Sequence, residues 1–195
     1  MSHANSPSAL GLPGLHSPAA GFDSPFELLS ACHDRVRGRL DLLTRLCERL
    51  ANLGADAAVR DAARDVERYF SQAAPAHHED EERHLLPLLQ ASHDPVLREA
   101  AERLRADHQA IHAAWAGLAP LLRALGADAP VGHIPLAAAA ERFVSAHDGH
   151  IELEEDVVFP RCQALLAEHA GALQAMGNEM AERRGVAPLT APAKP

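Results

Sequence analysis

His77-His78-Glu79-Asp80-Glu81-Glu82-Arg83-His84-Leu85-Leu86-Pro87 recurs later in the chain as His150-Ile151-Glu152-Leu153-Glu154-Glu155-Asp156-Val157-Val158-Phe159-Pro160. His, Glu and Pro keep their relative places in both copies. Successive residues of an α-helix turn by about 100°, so a His and a Glu four apart project from one stripe. Each copy therefore presents an imidazole and a carboxylate side by side, and two such stripes face to face are placed to hold a pair of metal ions.

Outward from these copies the chain reads as helix throughout. Ala, Leu, Arg and Glu recur at helical spacing with few β-branched or aromatic residues, which predicts an all-α domain. The first helix is expected to open at Ser24, with Pro25 at its first position and Glu27 completing a capping box, and to end near Gly54. Its apolar stripe is Leu29, His33, Val36, Leu40, Leu43, Cys47, Leu50. The second runs from about Asp56 to Gln90 with Val59, Ala63, Val66, Phe70, Ala73 and His77 inward and a kink expected at Pro75. The third starts at Asp94-Pro95, carries Leu97, Ala101, Leu104, His108, Ile111, Trp115, Leu118, Leu122 and Leu125, and stops at Gly126. The fourth starts near Pro135 with Leu136, Ala140, Phe143, His147, His150, Glu154 and Val157 on one stripe. A short extra helix from about Gly171 to Arg184 is expected outside an up-down-up-down four-helix bundle.

The halves are related. His150 lies 73 positions after His77, and the same step sets Phe143 on Phe70, Glu154 on Glu81 and Pro160 on Pro87; His108 follows His33 by 75. Two copies of one helical hairpin close about a pseudo-two-fold axis. In such a bundle His33, His77, Glu81, His108, His150 and Glu154 converge on one layer. Burying two carboxylates among four imidazoles costs several kcal/mol per unpaired charge, against a net domain stability of about 5 to 15 kcal/mol. Divalent cations compensate that charge. Imidazole suits iron, zinc, copper and nickel, whereas calcium and magnesium take oxygen shells, and two Glu able to bridge favour a dinuclear centre. No Cys is placed to build a closed zinc site, so iron is the first choice and zinc the lesser one.

The order His, His-x-x-x-Glu, His, His-x-x-x-Glu on four consecutive helices resembles the hemerythrin-like family of His/His/Glu cation-binding domains over about residues 24 to 165. That resemblance implies a non-haem di-iron centre, oxo- or hydroxo-bridged, with both Glu bridging and the four His capping. It implies a protein that binds or senses O2, nitric oxide or peroxide, rather than a dedicated enzyme. A di-iron peroxidase or oxidase, or an iron-sensing or iron-handling interaction protein, is the alternative. Oxygen-carrying members have a second His on the third helix, one turn before His108, where this chain has Leu104. His112 lies one turn after His108 instead, at the level expected for His147. These two, and His84, are candidates for an extra ligand or a supporting hydrogen bond.

Other groups read more plainly. His3, His16, His78, His93, His133 and His169 are expected at the surface, Glu82, Glu155 and Asp156 as solvated charges, and Trp115 in the core. Cys32, Cys47 and Cys162 lack Cys-x-x-Cys spacing and are expected to be reduced, packed thiols. A net charge of -9 over 195 residues argues against nucleic acid as a partner. No apolar run approaches the roughly 20 residues of a membrane span, and no signal peptide is evident, so the cytoplasm is expected. The domain is expected over 24–185, between tails at 1–23 and 186–195 that are rich in Pro, Gly or small residues and are expected to be disordered.

Overall fold

A computed structural model describes residues 21–169 and 171–186. The expected tails fall almost entirely outside that range, as do His3 and His16. Among the described residues every regular element is helical: α1 (Pro25–Leu53), α2 (Ala57–Gln72), α3 (Ala74–His84), α4 (Leu86–Ala91), α5 (Pro95–Gly126), α6 (His133–Ser145), α7 (His150–Leu153), a π-helical turn (Glu154–Val158), α8 (Phe159–Ala167) and α9 (Ala172–Arg183). The all-α fold is as the periodicity predicts. α1 packs on α2, α2 on α5, α5 on α6, and α6 returns to α1.

The two motif-bearing runs are broken where the sequence puts Pro or Gly. α2, α3 and α4 make one run, interrupted at Ala73 just before Pro75 and at Leu85 just before Pro87. Because Pro lacks an N–H and its ring crowds the carbonyl four residues back, each Pro forces a local departure. The first break changes which residue turns inward: Ala74 is buried and the expected Ala73 is exposed. The fourth run breaks at residues 146–149, where Gly149 takes φ 71°, a left-handed conformation that a side chain disfavours. Downstream, the π-helical turn accommodates Pro160 by widening one turn, which adds a residue to it. Val158 and Phe159 are consequently buried, and Val157, expected inward, is only half-buried.

Asp56 and Asp94 cap α2 and α5, accepting from the Val59 and Val96 amides at 2.9 Å each. The capping box expected at Ser24 does not form: its side chain makes no cap hydrogen bond, and Pro25 alone marks the start of α1. The extra helix is less peripheral than expected. Met176 and Met180 of α9 are buried in the core with Phe26, Leu89, Leu97 and Cys162, and the backbone of Phe22, assigned to the tail, lies close against Gly177. A second apolar cluster, containing Val36, Leu43, Phe70, Leu118, Leu122 and Phe143, fills the other end of the bundle. Along α1, His33 falls between Leu29 of one cluster and Val36 of the other, so a polar layer crosses the molecule between two apolar ones.

Candidate metal centre

That layer collects His33 from α1, His77, His78 and Glu81 from α3, His108 from α5, His150 from α7 and Glu154 from the π-helical turn, all buried. Their donor atoms form two groups, His33–His77–Glu81–Glu154 and His78–Glu81–His108–His150, and within each group all lie within 4.8 Å of one another. Glu81 belongs to both. His77 Nε2 is 3.0 Å from Glu81 Oε1, His108 Nε2 is 3.3 Å from Glu81 Oε2, and His33 Nε2 is 2.9 Å from Glu154 Oε2. His150 Nε2 stands 3.6 Å from Glu154 Oε1.

These approaches lack hydrogen-bond geometry. Both oxygens of Glu81 and of Glu154, Nε2 of His33 and His108, both nitrogens of His150 and Nδ1 of His77 are buried without a hydrogen-bond partner. So many orphaned polar atoms in one place would each cost roughly 1 to 3 kcal/mol, which is the mark of a cation site rather than of a polar core. The residues therefore fit a pair of cations sharing one carboxylate.

The outer partners fix the imidazoles. Nδ1–H of His33 donates to Glu155 Oε1 at 2.9 Å, and Arg37 grips the same carboxylate at 3.0 and 2.7 Å. Nδ1–H of His108 donates to Glu82 Oε1 at 3.0 Å. With Nδ1–H held outward, Nε2 of each ring is the nitrogen that faces the interior and, once deprotonated, the one that ligates. Glu82 and Glu155, expected to be solvated charges, are thus the residues that orient His108 and His33. Each directly follows its inward Glu, and about 100° of helix rotation carries it to the neighbouring helix.

His78 is a second correction. Expected at the surface, it is buried, stacks on His108 with ring centroids 4.3 Å apart, and supplies a donor atom to the second group. Three residues turn through about 300°, so His78 and Glu81 lie only about 60° apart on α3. The signal was present in the i, i+3 spacing. Its Nδ1 is 3.3 Å from Nε2 of exposed His112, which therefore stands behind His78. His147 donates from Nδ1 to the Phe143 carbonyl at 2.8 Å, and neither it nor His112 enters a donor group. His84 turns away from the cluster to meet Glu179 of α9 at 2.7 Å. Leu104 is fully buried beside the cluster, in the apolar core.

Charge is divided unevenly over the layer. Burial lowers His77 to about 4 and His150 to about 3, and lowers His78 well below the imidazole range, so all three rings are neutral at pH 7. Burial works the same way on His33 and His108, but the adjoining Glu154 and Glu81 carboxylates outweigh it and raise them to about 10 and about 9. Burial and the charge of Glu81 push Glu154 up to about 8, whereas Glu81 is held low against burial by the surrounding imidazoles. Neutral imidazole is the form that ligates a metal, so a cation entering the layer displaces the Nε2 protons of His33 and His108.

One further feature escaped the sequence. Asp80, adjacent to Glu81 and 1% exposed, is held by Arg184 at 2.6 Å and by Arg183. In the sequence it reads as one more charge in an acidic run; only α9 folding back supplies its partners.

A helical bundle whose central layer holds two buried His/Glu donor groups joined by one carboxylate defines a class, the cation-binding all-α domains. The chain belongs to the hemerythrin HHE cation-binding domain family, whose model matches residues 24–162. It is also similar to an uncharacterized protein of Haemophilus influenzae, 31% identical over 170 residues that cover 86% of this chain and 94% of that protein. Among the described residues, no helix is long and apolar enough to cross a membrane.

Proposed function

We propose that this chain is a cytoplasmic non-haem di-iron protein whose centre binds or senses O2, nitric oxide or peroxide. The observation that carries the reading is the sharing of Glu81 between two buried donor groups, since one carboxylate reaching both is the requirement of a dinuclear site. His33, His77 and Glu154 with Glu81 would hold one iron, and His78, His108 and His150 with Glu81 the other. Two irons of this kind supply reversible electron exchange with a small diatomic or peroxidic ligand. The chain's own residues set the conditions. The two apolar clusters exclude bulk water, Glu155 and Glu82 aim His33 and His108, and five imidazoles against two carboxylates keep the donor set poor in negative charge.

The two groups are inequivalent, with three imidazoles on one side and two on the other. His78 of α3 brings the third imidazole to the side of His108 and His150, while Leu104, one turn before His108, belongs to the apolar cluster of α9. A cavity reaching His77, His78 and His150 favours the second reading, a peroxidase or oxidase, because a reactant has a way to the imidazoles. Metal analysis of aerobically purified protein, followed by anaerobic-to-aerobic absorption spectra, tests both. Iron at two per chain with a reversible O2- or nitric-oxide-dependent band supports binding; rapid repeated consumption of peroxide supports the enzyme. Zinc in place of iron, or metal-free protein unaffected by added iron, overturns the di-iron assignment.

A further inference from the structure

Beside the donor cluster lies a cavity of about 190 Å³. Phe70, Trp115, Phe143, Ile111 and Val36 supply an apolar part of its wall, six histidines (His33, His77, His78, His112, His147 and His150) supply another, and no Asp, Glu, Lys or Arg reaches it. Exposed Ser71, Pro75 and His112 mark its mouth, at the break between α2 and α3. The cavity therefore holds a ligand through apolar contact and imidazole nitrogens, not through a carboxylate or guanidinium. Its size excludes long chains, yet a diatomic molecule, about as large as one water, would leave most of it unfilled. An apolar cavity of roughly 150 Å³ takes up benzene, so this one has room for a single ring with a small substituent.

His147 decides what the substituent is. It is 7% exposed, lines the cavity, and sits against Phe143 and Phe70 at ring-centroid distances of 4.8 and 6.0 Å. Its Nδ1 lies 2.8 Å from the Phe143 carbonyl. A carbonyl can only accept, so Nδ1 carries the proton and Nε2 keeps a lone pair. No hydrogen bond reaches Nε2 among the described residues. An acceptor without a partner, in a wall that carries aromatic rings, selects a ligand with one O–H donor on an apolar body.

We propose that this cavity is a binding site for a small neutral aromatic alcohol of the phenol class, its ring among Phe70, Trp115 and Phe143 and its hydroxyl donating to Nε2 of His147. The cavity also reaches His77, His78 and His150, but the proposed contacts are made by residues outside both donor groups, so the inference does not rest on the di-iron reading.

The test is a titration of the full chain with phenol and with toluene, followed by the fluorescence of Trp115, the one tryptophan of the sequence, and by melting temperature. Saturable binding of both probes is expected, with phenol about tenfold tighter because it alone makes the hydrogen bond. His147→Leu should bring phenol down to the level of toluene and leave toluene unchanged. Ala74→Leu should abolish binding of both by filling the cavity; Ile111→Phe fills it from α5 should the first variant not fold. Absence of saturable binding, equal affinity for the two probes in the unaltered protein, or a phenol preference that survives His147→Leu would each overturn the proposal.

Discussion

The segments 77–87 and 150–160 carry one motif on two different backbones. In the first, His77 and Glu81 stand on a continuous α-helix entered through Pro75; in the second, His150 follows a left-handed Gly149, and Glu154 begins a π-helical turn. Equivalent positions have diverged in chemistry. His78 faces the cluster where the second copy has buried Ile151, and Asp80 holds Arg183 and Arg184 where the second copy has half-buried Leu153. Only the outer carboxylates keep the symmetry, Glu82 serving His108 as Glu155 serves His33. Even there Arg37 braces Glu155, and the matching position after His108 is His112, which turns to His78 instead. A repeated motif thus fixes where donors stand, while its surroundings decide how many there are.

Substitutions that treat the copies as interchangeable break this comparison soonest. Glu81→Ala should abolish metal binding at both donor groups and Glu154→Ala should spare the His78–His108–His150 side, as read by metal content per chain. Equal losses would mean the copies contribute alike. Asp80→Leu, which writes the second copy's residue into the first, removes the carboxylate that Arg183 and Arg184 share at the α3–α9 contact and leaves Arg184 without its ion pair. It should cost about 3 kcal/mol, the low end for a broken buried pair because both arginines keep some water, seen as a lowered denaturation midpoint. Glu155→Gln should weaken metal binding roughly 10- to 100-fold by releasing the orientation of His33. Glu82→Gln should fall at the lower end of that range, since Glu82 is half exposed and lacks an arginine. Competition with a chelator of known affinity measures both. Gly149→Ala meets only an ordinary contact with Arg103 at 3.4 Å, so the cost is that of its positive φ alone, about 1 kcal/mol. The same change at Gly38, which sits within α1 with nothing near its missing side chain, should stabilise by a similar amount.

The stripes of α1 and α5 are legible in the sequence because their periodicity runs unbroken, and they place His33 and His108 without ambiguity. The stripe of the fourth run is readable as far as Glu154 and then slips by one residue. A π-helical turn has no composition of its own, and Pro160 announces a disturbance without saying whether the chain will break or widen. At the equivalent Pro87 it breaks. Glu82 and Glu155 were readable as charges but not as partners of His33 and His108, because their partners come from other helices. His78 differs: its spacing to Glu81 already puts both on one face, and that geometry was available without any structure.

By itself the sequence determined an all-α chain with two related helical hairpins and the inward placement of His33, His77, Glu81, His108, His150 and Glu154, since these follow from helical rotation and local chain chemistry. Tertiary structure alone decided that Glu81 is the carboxylate common to both groups. It also decided that His78 joins the second group, that Asp80 is neutralised by α9, and that a cavity opens beside the layer. Each of these depends on distances between segments far apart in the chain. Such distances are set by how the kinks at Pro75, Gly149 and Pro160 rotate one helix against the next, which no local pattern encodes.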